Sequence, residues 1–200
     1  LPHQHIRQVV DRPFSKQRLI REEPGRGSKA SSEAFRRLGN LRDIRRRVIL
    51  ESRQVAPGRV LAVAQKDVEE ALLGLGPLPS NVVTAHHNAV AGRDEWRDVA
   101  LLVVVGRTMP SPSAVKEMAE AISGHAISDL PGWYERHDAV RLLAGTTELT
   151  EADRHPAPLA EALRWQIAEG ELLQIIGRGR GVTRTAENPL EVLVLCDLPL

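Results

Sequence analysis

Short, nearly continuous runs of apolar residues dominate the chain after residue 59, and segments with helical periodicity separate them. Such runs are typical of parallel β-strands that are buried on both faces. Four strands are therefore predicted, at residues 60–64, 82–85, 99–105 and 191–196. The run at 99–105 (VALLVVV) has the strongest pattern.

Helices are predicted where apolar residues recur at steps of three or four positions. The pattern places them at residues 35–54, 66–73, 112–123 and 158–176. Proline in the first turn and glycine just past the end mark the helix at 112–123. Gly170 is expected to break the helix at 158–176 into two pieces.

The N-terminal region follows a different pattern. Alternation predicts a strand at 5–10 and a second short strand at 17–20, and the Pro, Gly and Ser content predicts a loop at 22–32. Residues 133–143 fit either a strand or a small excursion from the main fold.

Strands that alternate with helices indicate an α/β fold class, with a mostly parallel open sheet flanked by helices. We expect an N-terminal region at 1–32 and a main domain at 33–200, with an insertion at 125–155. The chain starts without methionine and stops soon after a strand, so we expect it to be one domain of a longer polypeptide.

The charges are almost balanced, with 27 Lys and Arg against 26 Asp and Glu, for a net charge of +1. Attraction of the whole molecule to nucleic acid or to an anionic membrane is therefore not indicated, and any basic function must be local. Cys196 is the only cysteine, which excludes an internal disulfide and a cysteine-based metal cage. No stretch approaches about 18 apolar residues and no signal-peptide pattern is present, so a cytoplasmic protein without a membrane partner is expected.

The strongest candidate for chemistry is Gln174-Ile-Ile-Gly177-Arg178-Gly-Arg180-Gly181, between a predicted helix and the last strand. Phosphoryl transfer spreads negative charge over phosphate oxygens, and a guanidinium stabilises that charge with a planar fork of donors. The glycines permit close approach to a partner. The octapeptide alone fits equally well with a solvated basic turn.

A second candidate runs from His86 to Asp98 between two predicted strands. Ligands of open α/β sheets gather at the carboxyl ends of strands, where His86 and Asn88 fall. Gly92 and Asp94 could bind a ribose, an arginine or a metal-bound water, although a tight polar turn explains the same residues. Adjacent strand residues point to opposite faces, so His86 and the next histidine do not indicate a metal site, and no metal is predicted.

Two further loops follow predicted strands and precede helices. Gln65 and Lys66 lie where backbone N–H groups bind phosphate readily, and Thr108 lies in a loop suited to contact with a nucleic-acid backbone. Ordinary helix entry and a rigid connector are the alternatives. The sequence contains no Gly-x-x-x-x-Gly-Lys-Ser/Thr loop to hold a triphosphate, so this chain alone is not expected to hydrolyse ATP.

Three segments in order, at 60–66, 88–96 and 174–180, resemble motifs IV, V and VI of superfamily 2 helicases. Gln174, Gly177 and Arg178 match motif VI, and Gly92 and Asp94 match the Gly-x-Asp form of motif V. Motif VI usually carries a second arginine three residues after the first. Gly181 stands there in this chain, so Arg180 and Arg184 are both candidates for that second arginine.

The resemblance implies a C-terminal RecA-like domain, the second motor domain of a helicase or translocase. ATP and Mg²⁺ would then be held by an N-terminal RecA-like domain of the same polypeptide, and Arg178 with Arg180 or Arg184 would be catalytic. Gln174, Gly177, Gly92 and Asp94 would contact the nucleotide. DNA or RNA would be contacted by Gln65, Lys66, His86, Asn88 and Thr108.

The chain is also similar to C-terminal parts of large helicase-like or primase-associated proteins of bacterial mobile elements and prophages. Two functions of other classes fit the same residues. One is a non-catalytic module that binds nucleic acid or protein and retains the fold. The other is a transferase of the nucleotide-sugar type, whose phosphate sites use similar Gly/Arg loops.

Overall fold

The computed structural model describes residues 1–10, 14–20, 28–90, 95–143 and 146–198. The chain divides into two compact units, one of residues 1–107 and 174–197, the other of residues 108–173 and 198–200. The helices and strands of the described ranges follow, in chain order: β1 (Gln4–Val9), α1 (Lys16–Leu19), α2 (Ser28–Gln54), β2 (Val60–Ala64), α3 (Lys66–Gly74), β3 (Val82–His86), β4 (Leu101–Val105), α4 (Pro112–Ser123), β5 (Glu135–Leu143), β6 (Thr146–Arg154), α5 (Pro158–Trp165), α6 (Glu171–Arg178) and β7 (Leu190–Leu195).

The first unit is built on a five-stranded parallel sheet in the order β1-β7-β4-β2-β3. Helices flank this sheet, so the predicted α/β class with an open parallel sheet is confirmed, and the architecture is consistent with a RecA-like fold. Every residue of β2 and β4 is buried, as the continuous apolar runs predict for strands covered on both faces.

One face of the sheet packs against α1, α2 and α3. Val60, Leu101 and Leu193 of the sheet share a buried cluster with Leu41 and Val48 of α2. Gly106, directly after β4, has φ +70°, and a Cβ there would lie 2.8 Å from the carbonyl oxygen of Phe14. Glycine is the residue that adopts this conformation without strain and leaves room for the neighbouring backbone.

The second unit contains α4, α5 and the antiparallel hairpin of β5 and β6. α4 has the predicted bounds, because Ser111 caps its first turn through Ala114 N–H and Gly124 ends it in the left-handed conformation. The predicted helix at 158–176 forms as α5, a π-helical turn at Gln166–Gly170 and α6. Gly170 ends the π-turn, but the backbone stays in the right-handed helical conformation on both sides of it. The helix therefore continues through Gly170, and the predicted break into two pieces is wrong.

The predicted strand at 17–20 is wrong, because the chain forms α1 there. Leu19 is buried and Arg18 is exposed, and Leu19 N–H donates to the carbonyl of Ser15. The predicted loop at 22–32 is wrong for its last five residues, since α2 begins at Ser28. Glu33 and Arg37 form an ion pair across one turn at 3.6 Å, which supports helix near this end.

Candidate functional site

The parallel sheet separates the predicted site residues into two groups. The segment after α6 enters β7 at its amino end. Gln65 follows the carboxyl end of β2, and His86 is the last residue of β3. A five-residue strand is about 16 Å long. The two groups therefore lie at opposite edges of the sheet, and each is described separately.

At the amino edge, Gln174, Gly177 and Arg178 share one side of α6. They are spaced at i, i+3 and i+4, which places their side chains above one another on a helix. Gln174 and Gly177 are exposed and Arg178 is half-buried. None of the side chains or carbonyls that the structure describes accepts a hydrogen bond from the Arg178 guanidinium, so this cation remains available at the end of the helix.

The three glycines of this segment have different roles. A Cβ on Gly179 would overlap Leu190 Cδ2, and a Cβ on Gly181 would overlap Gln4 Oε1. Gly179 is thus required by packing against buried Leu190, whereas the flexible Gln4 side chain can rotate away from a Cβ at Gly181. Gly177 has no atom within 4 Å of the position of a Cβ, so it alone of the three leaves open space beside Arg178.

Arg184 is buried, with an exposed fraction of 5%. Its Nε donates to the Gly179 carbonyl at 2.9 Å, and its terminal nitrogens donate to Asn188 Oδ1 at 3.1 Å and to the Arg97 carbonyl at 2.8 Å. Burial lowers the pKa of Arg184. These bonds hold the turn that carries Arg180, which is exposed and has φ +50°.

Replacing Arg184 with glutamine is expected to lower the free energy of unfolding by about 3 kcal/mol, because buried carbonyls lose charged donors. Urea denaturation followed by circular dichroism measures the change. Arg178→Ala is the matched control, and its half-buried side chain predicts a change of about 0.5 kcal/mol or less. Equal losses in the two variants would contradict the structural role of Arg184.

At the carboxyl edge, Gln65 links the ends of two neighbouring strands. Its side-chain amide donates to the Arg107 carbonyl, which follows β4. The same edge carries exposed Lys66, at the first position of α3. Asp67 and Glu69 stand in the first turn of α3, where they offset the helix dipole.

Ion pairs connect this edge with its neighbours. Asp67 pairs with Lys16, which holds the pKa of Asp67 below its usual range, and His86 Nδ1 lies 3.2 Å from Glu69 Oε2. Arg107 lies 3.4 Å from Asp197, just past β7. Charges of both signs alternate here, so this edge is suited to specific hydrogen bonds and not to general attraction of a polyanion.

The strand order creates a topological switch point at the carboxyl edge of the sheet. β3 lies on one side of β2 and β4 lies on the other, which makes the gap between β2 and β4 a topological switch point. In open α/β sheets such a gap is where ligands bind. Gln65 and Arg107 line it, and His87 is buried beside it with Nε2 3.3 Å from the Val105 carbonyl.

Sequence reasoning missed Arg107 and Asp197 as site residues. Asp197 follows a predicted strand directly and Arg107 follows one after Gly106, which is the signal that could have identified them. Asn88 is exposed and has φ +67°, and Thr108 is half-buried in the second unit. Gly92 and Asp94 lie outside the described residues.

Within the described ranges, no three His, Cys, Asp or Glu side chains are placed to share a metal ion. The helices in those ranges are too short or too polar to cross a membrane. No family model, curated protein or solved structure matches the chain. The function must therefore be inferred from the residues and their geometry.

Proposed function

We propose that the chain is the second motor domain of an ATP-dependent nucleic-acid helicase or translocase of superfamily 2. In this proposal, ATP and Mg²⁺ are held by an N-terminal RecA-like domain of the same polypeptide. Arg178 reaches the phosphates from this chain. The cytoplasm is the corresponding location.

The observation that carries the proposal is the patch of exposed Gln174, exposed Gly177 and half-buried Arg178 on one side of α6. The three residues that match motif VI lie on one side of one helix, and the Arg178 guanidinium has no hydrogen-bond acceptor among the described residues. A guanidinium that is ready to meet phosphate oxygens requires no rearrangement when charge develops during phosphoryl transfer.

The other arginines take different parts in the proposal. Arg184 fixes the turn after α6 through its bonds to Gly179 and Arg97, so it positions Arg180 and does not itself contact phosphate. Arg180 is then the candidate for the second arginine of motif VI. Its left-handed backbone conformation directs the chain into the short helical turn at Gly181–Thr183.

The nucleic-acid strand is proposed to meet the carboxyl edge of the sheet. Gln65, Lys66 and Asn88 follow the ends of two adjacent strands there, and His86 is the last residue of β3. Binding of ATP would close the two motor domains and move the strand relative to these residues.

The requirement for a second domain gives a direct test. The isolated chain is expected to show no ATP hydrolysis above the spontaneous rate, since it lacks a triphosphate-binding loop. The parent polypeptide with its upstream ATP-binding domain is expected to hydrolyse ATP, at a rate that rises with added single-stranded nucleic acid. A phosphate-release assay measures both.

Two results would contradict the proposal. One is hydrolysis by the isolated chain at the rate of the parent polypeptide. The other is a parent polypeptide whose hydrolysis does not respond to nucleic acid. Calorimetric binding of a nucleotide sugar to the isolated chain would instead favour the transferase.

A further inference from the structure

The solvent-facing side of α2 carries a line of arginines that the proposed function does not use. Phe35, Arg42, Arg46 and Arg53 follow one another at steps of seven, four and seven residues. At 3.6 residues per turn, these steps keep the side chains within about 20° of one line along the helix. We call these four residues the arginine stripe. Ile44 and Val48 are buried on the opposite side of α2.

The arginines of the stripe are exposed and make no ion pair with the residues that the structure describes. Other arginines near α2 do have carboxylate partners. Arg47 lies 2.6 Å from Glu51, and Arg7 lies 2.8 Å from the same carboxylate. The acidic side chains of α2 that form ion pairs therefore lie on other sides of the helix. They do not neutralise the positive charge of the stripe.

Charge is segregated along the chain. α2 contains eight basic residues and three acidic ones, a surplus of five positive charges. The whole chain has a net charge of only +1, so the remainder is acidic. A solvated helix face usually mixes both signs at i, i+4 spacing. The stripe instead presents one sign to solvent.

The stripe borders an open groove of about 550 Å³. Its lining combines guanidinium groups with aliphatic side chains, namely Arg42, Arg45, Arg46, Ile49, Leu50, Arg53 and Leu75. Arg45 donates to the Pro77 carbonyl at 2.6 Å, which fixes one wall of the groove. The groove therefore offers cationic donors along one line, over a floor that is partly apolar.

We propose that the arginine stripe binds the phosphate backbone of a single-stranded nucleic acid, with Phe35 stacking on a base. Arginine forks match phosphate oxygens, and Arg42 to Arg53 span a rise of about 16 Å along the helix, enough for several successive phosphates. Phe35 is 77% exposed and lies about 10 Å along the helix from Arg42, in line with the arginines. An exposed aromatic ring beside a row of cationic side chains is the arrangement that holds unpaired bases.

Charge and composition favour this ligand over a membrane surface. An interfacial helix needs a broad apolar face, but the exposed side of α2 carries only Phe35 and Leu50 as large apolar side chains. The proposal does not depend on ATP hydrolysis or on Arg178, so it can fail or succeed separately from the motor function.

The test uses fluorescence anisotropy of the chain with fluorescein-labelled 20-mers of thymidylate and of uridylate, titrated at several salt concentrations. The variant is Arg42→Gln/Arg46→Gln/Arg53→Gln. Loss of three phosphate contacts is expected to weaken binding about a hundredfold at 0.1 M salt and to reduce the slope of log K against log salt by about 2. Comparison of the two 20-mers distinguishes DNA from RNA as the source of the backbone.

The matched control is Arg18→Gln/Arg97→Gln/Arg136→Gln, which removes the same charge from exposed positions on other elements. It is expected to change the slope by less than about 0.5. Phe35→Ala is expected to weaken binding roughly tenfold without changing the slope. Arg42→Lys/Arg46→Lys/Arg53→Lys keeps the charges and is expected to keep the slope, which separates charge loss from misfolding.

Three outcomes would overturn the proposal. They are an equal loss of binding in the control triple, an unchanged slope in the glutamine triple, and no binding of either 20-mer by the unmodified chain. A fourth contradicting outcome is preferential binding to vesicles of anionic lipid that is lost in the glutamine triple while oligonucleotide binding persists, because it would assign the stripe to membranes.

Discussion

Arg178→Ala in the parent polypeptide is expected to lower the kcat of nucleic-acid-stimulated ATP hydrolysis by about a thousandfold or more. Arginines that stabilise the phosphoryl-transfer transition state contribute on this scale. Arg178 lies at the end of α6, and no described residue accepts a hydrogen bond from its guanidinium. The fold should therefore tolerate the change. A coupled steady-state assay is expected to show the loss in kcat, with little change in the KM for ATP.

Two comparisons make this prediction specific. Arg18→Ala removes an exposed arginine from α1 and is expected to leave hydrolysis within about twofold of the original rate. Arg180→Ala reports whether the neighbouring arginine shares the role. Turnover of Arg178→Ala within a few-fold of the unmodified polypeptide would show that the assignment of Arg178 is incorrect.

Arg164→Ala is expected to have the largest effect on stability, a loss of about 3–5 kcal/mol in the free energy of unfolding. Arg164 has an exposed fraction of 0%. Its Nε lies 2.8 Å from Glu161 Oε2, and a terminal nitrogen lies 2.8 Å from Glu169 Oε1. Burial opposes the charge, but the bonds to the two carboxylates outweigh it and raise the pKa of Arg164. Its removal leaves two carboxylates that have lost their buried partner.

Urea denaturation measures this loss, and tryptophan fluorescence reports on the second unit through Trp133 and Trp165. Arg154→Ala is the control, because Arg154 is half-exposed and lies 2.9 Å from Glu161 Oε1 alone. An exposed pair of this kind contributes about 1 kcal/mol or less. A similar loss in both variants would contradict the importance of the buried network.

The same network predicts a dependence on pH. Burial alone would raise the pKa of Glu161, but the hydrogen bonds from Arg164 and its neighbours lower that pKa in the folded protein. A lowered pKa contributes stability above the unfolded-state value, and this contribution is lost as the pH falls through the folded-state value. Arg164→Ala is therefore expected to reduce the amount by which the free energy of unfolding falls as the pH is lowered.

Much of the fold could be predicted because the apolar pattern is local. The run at 99–105 gave β4, and the Pro112 and Gly124 signals gave α4 with its observed bounds. The prediction of a strand at 17–20 was wrong because the local pattern there is too short to decide the conformation. Four residues are too few to show a period, and packing of Leu19 in the core decides the conformation. β6 was not predicted because TTELTEADR lacks strong alternation, and its strand depends on pairing with β5.

Less of the candidate site than of the fold could be predicted from the sequence. The placement of Gln174, Gly177 and Arg178 on one side of α6 follows from helical spacing, which a sequence shows directly. The burial of Arg184 against Arg97 depends on a contact between residues 87 positions apart. The proximity of Arg107 and Asp197 depends on strand order, which local patterns do not contain.

The pairing of β1 with β7 has a consequence for how the chain is made. His5 and Glu191, neighbours in this pair, are 186 residues apart. At about 5–20 residues per second, a ribosome needs roughly ten to forty seconds between the synthesis of the two strands. β1 leaves the exit tunnel before the other four strands of this sheet and is therefore among the last of them to find its partner. Completion of this sheet edge is a late step in the co-translational folding of the sheet.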